Sequence, residues 1–498
     1  MTGITSPAAT PPSALARLAF ATLLGVVVFT LIYHSDRLPM QLWDESRNAN
    51  NALEIALHGH WLVPTYGGLR DHWNTKPPLL IWLIAALLKL GVAPLWALRL
   101  PAIAAALATL TLVWIVSRRA LRDDLAAIFA GAFLVLSTLY IGVHATRTGD
   151  YDGLESLFVL GYALCLWRAL GDPVRPAWLW SAGALIFAAV MTKGVAGVLP
   201  LPGCAAPLLL FPRRLLALVR DRRAWAAALA TAALCLGYYA TRELYDPGYL
   251  RAVADNELGG RFLVVQDEHV GGPFYYLQVL ARGFQPGLWA LPLALLTVFG
   301  RDPRRRDLAL VTLGGAMSLL IVLSCSKTKL PWYVTPAIPL LSLTCALGAS
   351  DALAWLRARS SRESAACVAI ALGGCAVLAG LEVARDQDIA HARWADRDSR
   401  IFYGPFLTRL RAGGMTEPIV VFDQPGPPAA GPPPYNPIVA FYATLYAGRW
   451  RIQEQGYARA MPPGTLAVTC DRATLDQVRS RFGVAVTGRD GACALASY

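Results

Sequence analysis

Hydrophobic positions in this chain fall into long uninterrupted runs, and the runs stop well before its end. From residue 14 to residue 382 they recur at roughly 17 to 25 residues, the length a helix needs to cross a hydrocarbon core. The first covers 14–33 and is too long for a signal-peptide core. Further spans are expected at 99–116, 124–143, 153–170, 176–192, 196–212, 223–241, 285–300, 307–324, 331–350 and 364–382, about 11 in all. Two stretches break the pattern. In 44–58, Ala52, Leu53, Ile55, Ala56 and Leu57 gather toward one face, which predicts an amphipathic helix lying along the interface. Residues 79–90 are apolar but short, which predicts an interfacial or re-entrant helix.

Beyond residue 383 the pattern changes to short alternating runs. EPIVVFDQ, TLAVTC and GVAVTG read as strands, and IVAFYATLY and DRATLDQVRSRF as helices. The expected fold is a polytopic α-helical membrane protein with about 11 transmembrane helices, interfacial helices and a small C-terminal extracytoplasmic α/β domain. Its parts are a disordered cytoplasmic N-terminus over 1–13, a transmembrane domain over 14–382 and the α/β domain over 383–498. Within the transmembrane domain, a first outer loop covers 34–98 with its interfacial helices, and a large outer loop covers 242–284.

Composition agrees: 55% of the 498 residues are hydrophobic, 16% are charged and mean hydropathy is +0.44, which excludes a single soluble domain. The net charge of +12 raises the thought of a nucleic-acid partner. The arginines instead cluster in short loops between spans, among them Arg118, Arg119 and Arg122, then Arg213 and Arg214, then Arg301 and Arg304 to Arg306. That is the positive-inside signature of cytoplasmic loops, so no nucleic acid is expected. The alternate loops, 34–78, 144–152, the turn at Lys193, 242–273 and 324–331, then face outward, and an odd number of spans sends the tail to the same side. Of nine cysteines, seven lie in or beside apolar runs, and no metal-binding spacing occurs. Cys470 and Cys493 share the tail, where an oxidising compartment permits a disulfide that spacing alone leaves open.

The outer loops hold the candidate chemistry. Asp44 and Glu45 follow the first span directly, and an acid at the mouth of a membrane bundle is a functional candidate, with a solvated helix-capping pair as the alternative. Arg147 precedes Asp150 and Asp152, Glu257 precedes Arg261, and Asp267 and Glu268 stand beside His269. Lys76 (TKPP), Lys193 (MTKG), Lys327 and Lys329 (SKTKLP) form a second group. Single interfacial lysines commonly snorkel. Several on one face with paired acids point to a phosphate-bearing substrate.

The order of these motifs, an acidic pair, HGHWLVPTYGG, KPPLLIWL, LRLPAIAAAL, RTGDYD, MTKG, NELGGRF, EHVGGPFYY and KTKLPWYVTPAIPLL, resembles the GT-C glycosyltransferases over roughly residues 14 to 350. Within them it is most similar to the branch holding the lipid A aminoarabinose transferases and the bacterial relatives of protein O-mannosyltransferases. The resemblance implies transfer of a sugar from a polyprenyl-phosphate carrier to a hydroxyl or phosphate of an acceptor on the periplasmic face of a bacterial inner membrane. It implies Asp44 as catalytic base and Asp152 as the second functional carboxylate. Lys76, Arg147, Lys193, Arg261 and Lys329 would bind the donor phosphate, with Glu45, Glu257 and Tyr333 at the substrate. One base without a covalent intermediate implies inversion. The aminoarabinose transferases commonly carry Glu before the Lys-Pro pair, where it helps a His hold a divalent metal; this chain departs from that pattern with Thr75, and His269 is open to three readings, a metal ligand, a phosphate donor or a structural loop residue. The acceptor, whether lipid A, another lipopolysaccharide sugar, cell-wall glycan or protein, stays open, as does the donor sugar. A transporter or flippase for a lipid-linked sugar is the competing class, although no internal repeat is visible.

Overall fold

The computed structural model describes residues 14–33, 35–263, 270–357, 399–423, 435–455, 461–462 and 464–497. The expected tail at 1–13, the expected last span at 364–382 and His269 lie outside them. The helices used below are α1 (Ala14–Ile32), α2 (Asp44–His58), α3 (Leu79–Lys89), α4 (Pro94–Ile115), α5 (Asp124–Val135), α6 (Tyr151–Ala169), α7 (Ala177–Lys193), α8 (Arg222–Tyr245), α9 (Pro303–Cys325), α10 (Ala337–Arg357), α11 (Tyr403–Ala412), α12 (Pro437–Leu445) and α13 (Arg472–Phe482).

Among the described residues, five segments are individually long and apolar enough to cross a membrane: Pro94–Ala120, Ala177–Val198, Arg222–Tyr245, Pro303–Cys325 and Ala337–Trp355. Tyr275–Gly283 and Gln285–Val298, bent by 108°, make a sixth if counted as one. The shortfall against the expected number has local causes. Stretch 153–170 stands as α6, whose Asp152 and Glu155 interrupt its apolar character. Stretch 196–212 breaks into Gly194–Val198, Leu201–Cys204 and Ala206–Leu210, because Pro200, Pro202 and Pro207 remove amide donors. Stretch 124–143 is helical only to Val135.

The chain forms two compact units. The first comprises Met1–Tyr33, His72–Leu80 and Pro101–Ala384, and is a helix bundle. In it α6 packs on α7, α7 on α8, α5 on α1 and α10, and α9 on α10. Small residues permit the closest approaches: a Cβ on Gly203 would stand 1.8 Å from the Gly314 carbonyl oxygen of α9. Arg305, at the start of α9, pairs with Asp123 at 2.6 Å and Asp351 at 2.7 Å, tying the first turn of α9 to the start of α5 and the end of α10. Helix α9 is roughly 34 Å long, so Ser326, at its far end, is remote from this arginine cluster.

The second unit comprises His34–Asp71, Ile81–Leu100 and Arg385–Tyr498. Helix α2 departs from the expected interfacial helix: every residue from Glu45 to Ile55 is buried, polar ones included. Its polar side chains have partners. Arg47 forks onto Asp71 at 2.7 and 2.8 Å and donates to Tyr435, Asn51 donates to Asp71, and Asn50 donates to the Pro437 carbonyl at the head of α12. Glu54 accepts from the Gly67 and Gly68 amides, which turn the hairpin of β1 (Thr65–Tyr66) and β2 (Leu69–Arg70) at φ of 61° and 76°. Both positive φ values suit glycine.

The tail of this unit holds a five-stranded sheet in the order β4-β3-β5-β7-β6, with β3 Ile419–Val421, β4 Ile452–Glu454, β5 Leu466–Thr469, β6 Ala485–Asp490 and β7 Cys493–Ser497. Pairs β3–β4 and β3–β5 are parallel, and β5–β7 and β6–β7 antiparallel. Val420, Phe422, Ala467, Val478 and Ala496 form its core, and Cys470 is bridged to Cys493. At the carboxyl ends of the parallel strands, burial and the Asp423 carboxylate push the Glu454 carboxyl up to about 8, only partly offset by the Asn436 amide. A carboxyl that stays protonated in the fold, yet ionises near 4.5 in the open chain, binds more protons folded than unfolded between those values. Stability of this strand pair is therefore expected to fall as pH rises from 5 to 8, by at most about 1.4 kcal/mol per unit. Hydrogen exchange of the β3 and β4 amides in the whole protein, corrected for intrinsic rate, should show this loss of protection, and Glu454→Gln should flatten it.

Candidate active site

The helix bundle places three sequence-predicted residues around one missed acid. Asp152 opens α6 and Glu155 follows one turn later, so both carboxylates lie on the same face. Lys193 ends α7, and its Nζ lies 2.6 Å from Asp152 Oδ1 and 3.2 Å from Glu155 Oε2. All three are buried. The chain can turn sharply after Lys193 because Gly194 adopts φ 63°, where a Cβ would also meet the Tyr239 hydroxyl at 2.9 Å. Tyr333 presents its ring 5.3 Å from Lys193 Nζ.

A cavity of about 330 Å³ opens beside this triad. Lys76, Glu155, Lys193 and Glu257 supply its charges, with Ser326 and Tyr333. Val195, Ala196, Leu199, Phe262, Leu319, Val322 and Leu323 supply an apolar wall. Such a space suits an amphiphile with a charged head. Lys76 sits 3.8 Å from Glu257, which also accepts from the Thr75 hydroxyl at 3.0 Å. The segment carrying them is held by Tyr249, which donates to the Thr75 carbonyl, and by Asn74 with the Tyr151 hydroxyl. Four residues upstream of Lys76, His72 meets Asp246 at 2.9 Å. Burial would raise the Asp246 carboxyl, but hydrogen bonds from His72 and Arg242 hold it below its ordinary value.

Other expected residues are elsewhere. Arg147 is buried against α1 and donates to the Thr30 carbonyl, so it is not at the cavity. Lys329 closes the end of α9 by donating to the carbonyls of Leu323, Ser324 and Ser326, a structural use of a lysine expected at the donor phosphate. In the second unit Glu45 is fully buried, accepting from Arg99 at 2.9 and 3.2 Å and from the Gln41 amide at 2.7 Å. Those bonds occupy both its oxygens and make it an anchor of α2 rather than a substrate ligand. Asp44, one residue earlier, is half-buried at the head of that helix. Asp150 precedes α6, accepts from Thr148 and lies 3.6 Å from His144, whose ring stacks on Trp332. The Arg261 side chain is outside the described residues.

The residue that sequence reasoning missed is Glu155. The signal was present: an acid within the apolar run 153–170, three residues from its start, is unusual unless it is paired or functional. For the implied metal, Thr75 brings a hydroxyl already bonded to Glu257. One carboxylate beside a lysine does not make a divalent-cation site.

A model of the dolichyl-phosphate-mannose-protein mannosyltransferase family matches residues 75–239. An undecaprenyl phosphate-α-4-amino-4-deoxy-L-arabinose arabinosyl transferase of Pseudomonas fluorescens is 30% identical over 366 residues, 71% of this chain and 60% of that protein. Its counterpart in Pseudomonas aeruginosa is 30% identical over 334 residues, 64% of this chain and 58% of that one. The chain is similar in sequence to the aminoarabinose transferases. It spans about three fifths of the length of these relatives. Its fold matches that of ArnT from Cupriavidus metallidurans, crystallised with undecaprenyl phosphate, with a TM-score of 0.70 and 16% identity over 98% of both chains. The expected kinship with this branch is borne out. The matched segment 75–239 includes Lys76, Asp152, Glu155 and Lys193.

Removing the central cation should expose the strain it relieves. Lys193→Met would leave two adjacent buried carboxylates uncompensated, at a cost of about 3–5 kcal/mol, and should lower the apparent Tm of the detergent-solubilised protein. Adding Glu155→Gln should recover part of the loss. A Lys193→Met protein that melts with the wild type would contradict the triad.

Proposed function

We propose that this protein is an inverting glycosyltransferase of a bacterial inner membrane, moving a sugar from a polyprenyl-phosphate carrier to a hydroxyl or phosphate of an acceptor outside the cytoplasm. The observation that carries the reading is the cavity: its lining combines the ammonium groups of Lys76 and Lys193 with apolar side chains from Val195 to Leu323, which suits a phosphate attached to a hydrocarbon chain. The relatives' names supply the donor class, a 4-amino-4-deoxy-pentose on undecaprenyl phosphate, and lipid A or another lipopolysaccharide sugar is the acceptor that fits them.

The chemistry follows from the charges. The acceptor oxygen attacks the anomeric carbon while the carbon–oxygen bond to phosphate breaks, and the bond pair leaves with the phosphate. Fixed ammonium groups at Lys76 and Lys193 stabilise that developing charge. Asp44 takes the acceptor proton, supported by its position at the head of a helix held rigid by Glu45 and Arg99. Asp152, ion-paired at 2.6 Å, is the weaker base and serves to set Lys193. We read the arginine cluster at the opposite end of α9 as cytoplasmic, which supports an outward-facing cavity. About 11 crossings, as the apolar runs suggest, remain the proposed topology.

Release of free polyprenyl phosphate from a polyprenyl-phospho-sugar by the purified protein in lipid nanodiscs, with a membrane extract as acceptor, tests this. Wild type should release it and Asp44→Asn should be slower by roughly 10²- to 10⁴-fold. Near-wild-type turnover of Asp44→Asn would remove Asp44 from the role of base. No release from any donor by folded protein would favour a transporter.

A further inference from the structure

The buried triad is one hydrogen-bond donor short. Glu155 is 1% exposed, and its Oε2, although 3.2 Å from Lys193 Nζ, accepts no hydrogen bond among the described residues. Lys193 is aligned on Asp152 instead, at 2.6 Å. Glu257, the other carboxylate of the cavity, differs: Thr75 donates to it and Lys76 lies beside it. Glu155 is thus the wall residue with an unmet need for a donor.

Counted with Asp152, which pairs with Lys193 without lining the cavity, carboxyl groups also outnumber cations here: Asp152, Glu155 and Glu257 against Lys76 and Lys193. A phosphodiester donor adds another negative charge. A hydroxyl of a neutral sugar could donate to Glu155 but would leave that excess in place. A protonated amine meets both needs, because it donates N–H bonds and carries a positive charge.

We infer that Glu155 is the residue that selects donors whose sugar bears a protonated amine, by accepting a charge-assisted hydrogen bond from it. This rests on the donor reading above and assigns its specificity to one side chain. Lys76 and Lys193 hold the phosphate, and Glu155 reads the sugar.

The test compares two donors, a polyprenyl-phospho-amino-sugar and its N-acetyl derivative, in which the positive charge is gone. Release of polyprenyl phosphate is measured for wild type, Glu155→Gln and Glu155→Asp, and the quantity read is the ratio of kcat/KM values for amine over N-acetyl donor. The ratio should be at least about tenfold in wild type, the scale of one charge-assisted hydrogen bond. It should fall toward one in Glu155→Gln and be largely retained in Glu155→Asp, which keeps the charge. Should Glu155→Gln fail to fold, the wild-type ratio and that of Glu155→Asp decide: a wild type indifferent to acetylation overturns the inference. A wild-type preference that survives unchanged in Glu155→Gln, or that is lost equally in Glu155→Asp, also overturns it while leaving the transferase reading standing. Absence of release from both donors by folded wild type overturns both.

Discussion

A single ammonium group between two carboxylates, Lys193 with Asp152 and Glu155, is the interaction on which the candidate site in the helix bundle is built. Charges are costly inside a membrane-spanning assembly unless each is paired. Because α6 contributes both acids and α7 the cation, the pairing also fixes how these two helices meet. The residues of the candidate site therefore also hold its walls together, and the cavity beside them inherits defined charges.

The apolar part of the lining follows from different physics. Val195, Leu199, Leu319 and Val322 come from segments whose apolar character is dictated by their length and their setting, and they face a space next to two lysines. An amphiphile with an anionic head is the ligand class for which such a juxtaposition is favourable at both ends. In the second unit, burial of Glu45 against Arg99 does for α2 what Lys193 does for α6: it commits a polar helix to one position. Asp44 is presented by that helix without being consumed by its packing.

Much of this was legible in the residues, and the exceptions have physical causes. The apolar runs marked the membrane character, and MTKG and RTGDYD marked Lys193 and Asp152. TLAVTC and GVAVTG stand in β5 and β6, and the two tail cysteines are joined. Glu155 was overlooked because a run of hydrophobic neighbours masked an acid whose partner lies 38 positions away in the chain. Arg147 and Lys329 carried the charge expected of phosphate ligands, but carbonyl oxygens at helix ends compete for the same donors, and one-dimensional spacing does not say which acceptor wins. Helix α2 looked interfacial from its apolar face, since nothing local announces that Arg47, Asn50 and Asn51 would find buried partners.

The measurement that bears most directly on the central claim is photolabelling of the protein in nanodiscs with a polyprenyl phosphate carrying a diazirine in its first isoprene unit, followed by mapping of the adducts. If the cavity seats the carrier's phosphate at Lys76 and Lys193, adducts should concentrate on Val195, Leu199, Leu319 and Val322 and be competed by unlabelled polyprenyl phosphate. Adducts confined to outward-facing positions such as Leu229 and Leu236 of α8, indifferent to competitor, would contradict it.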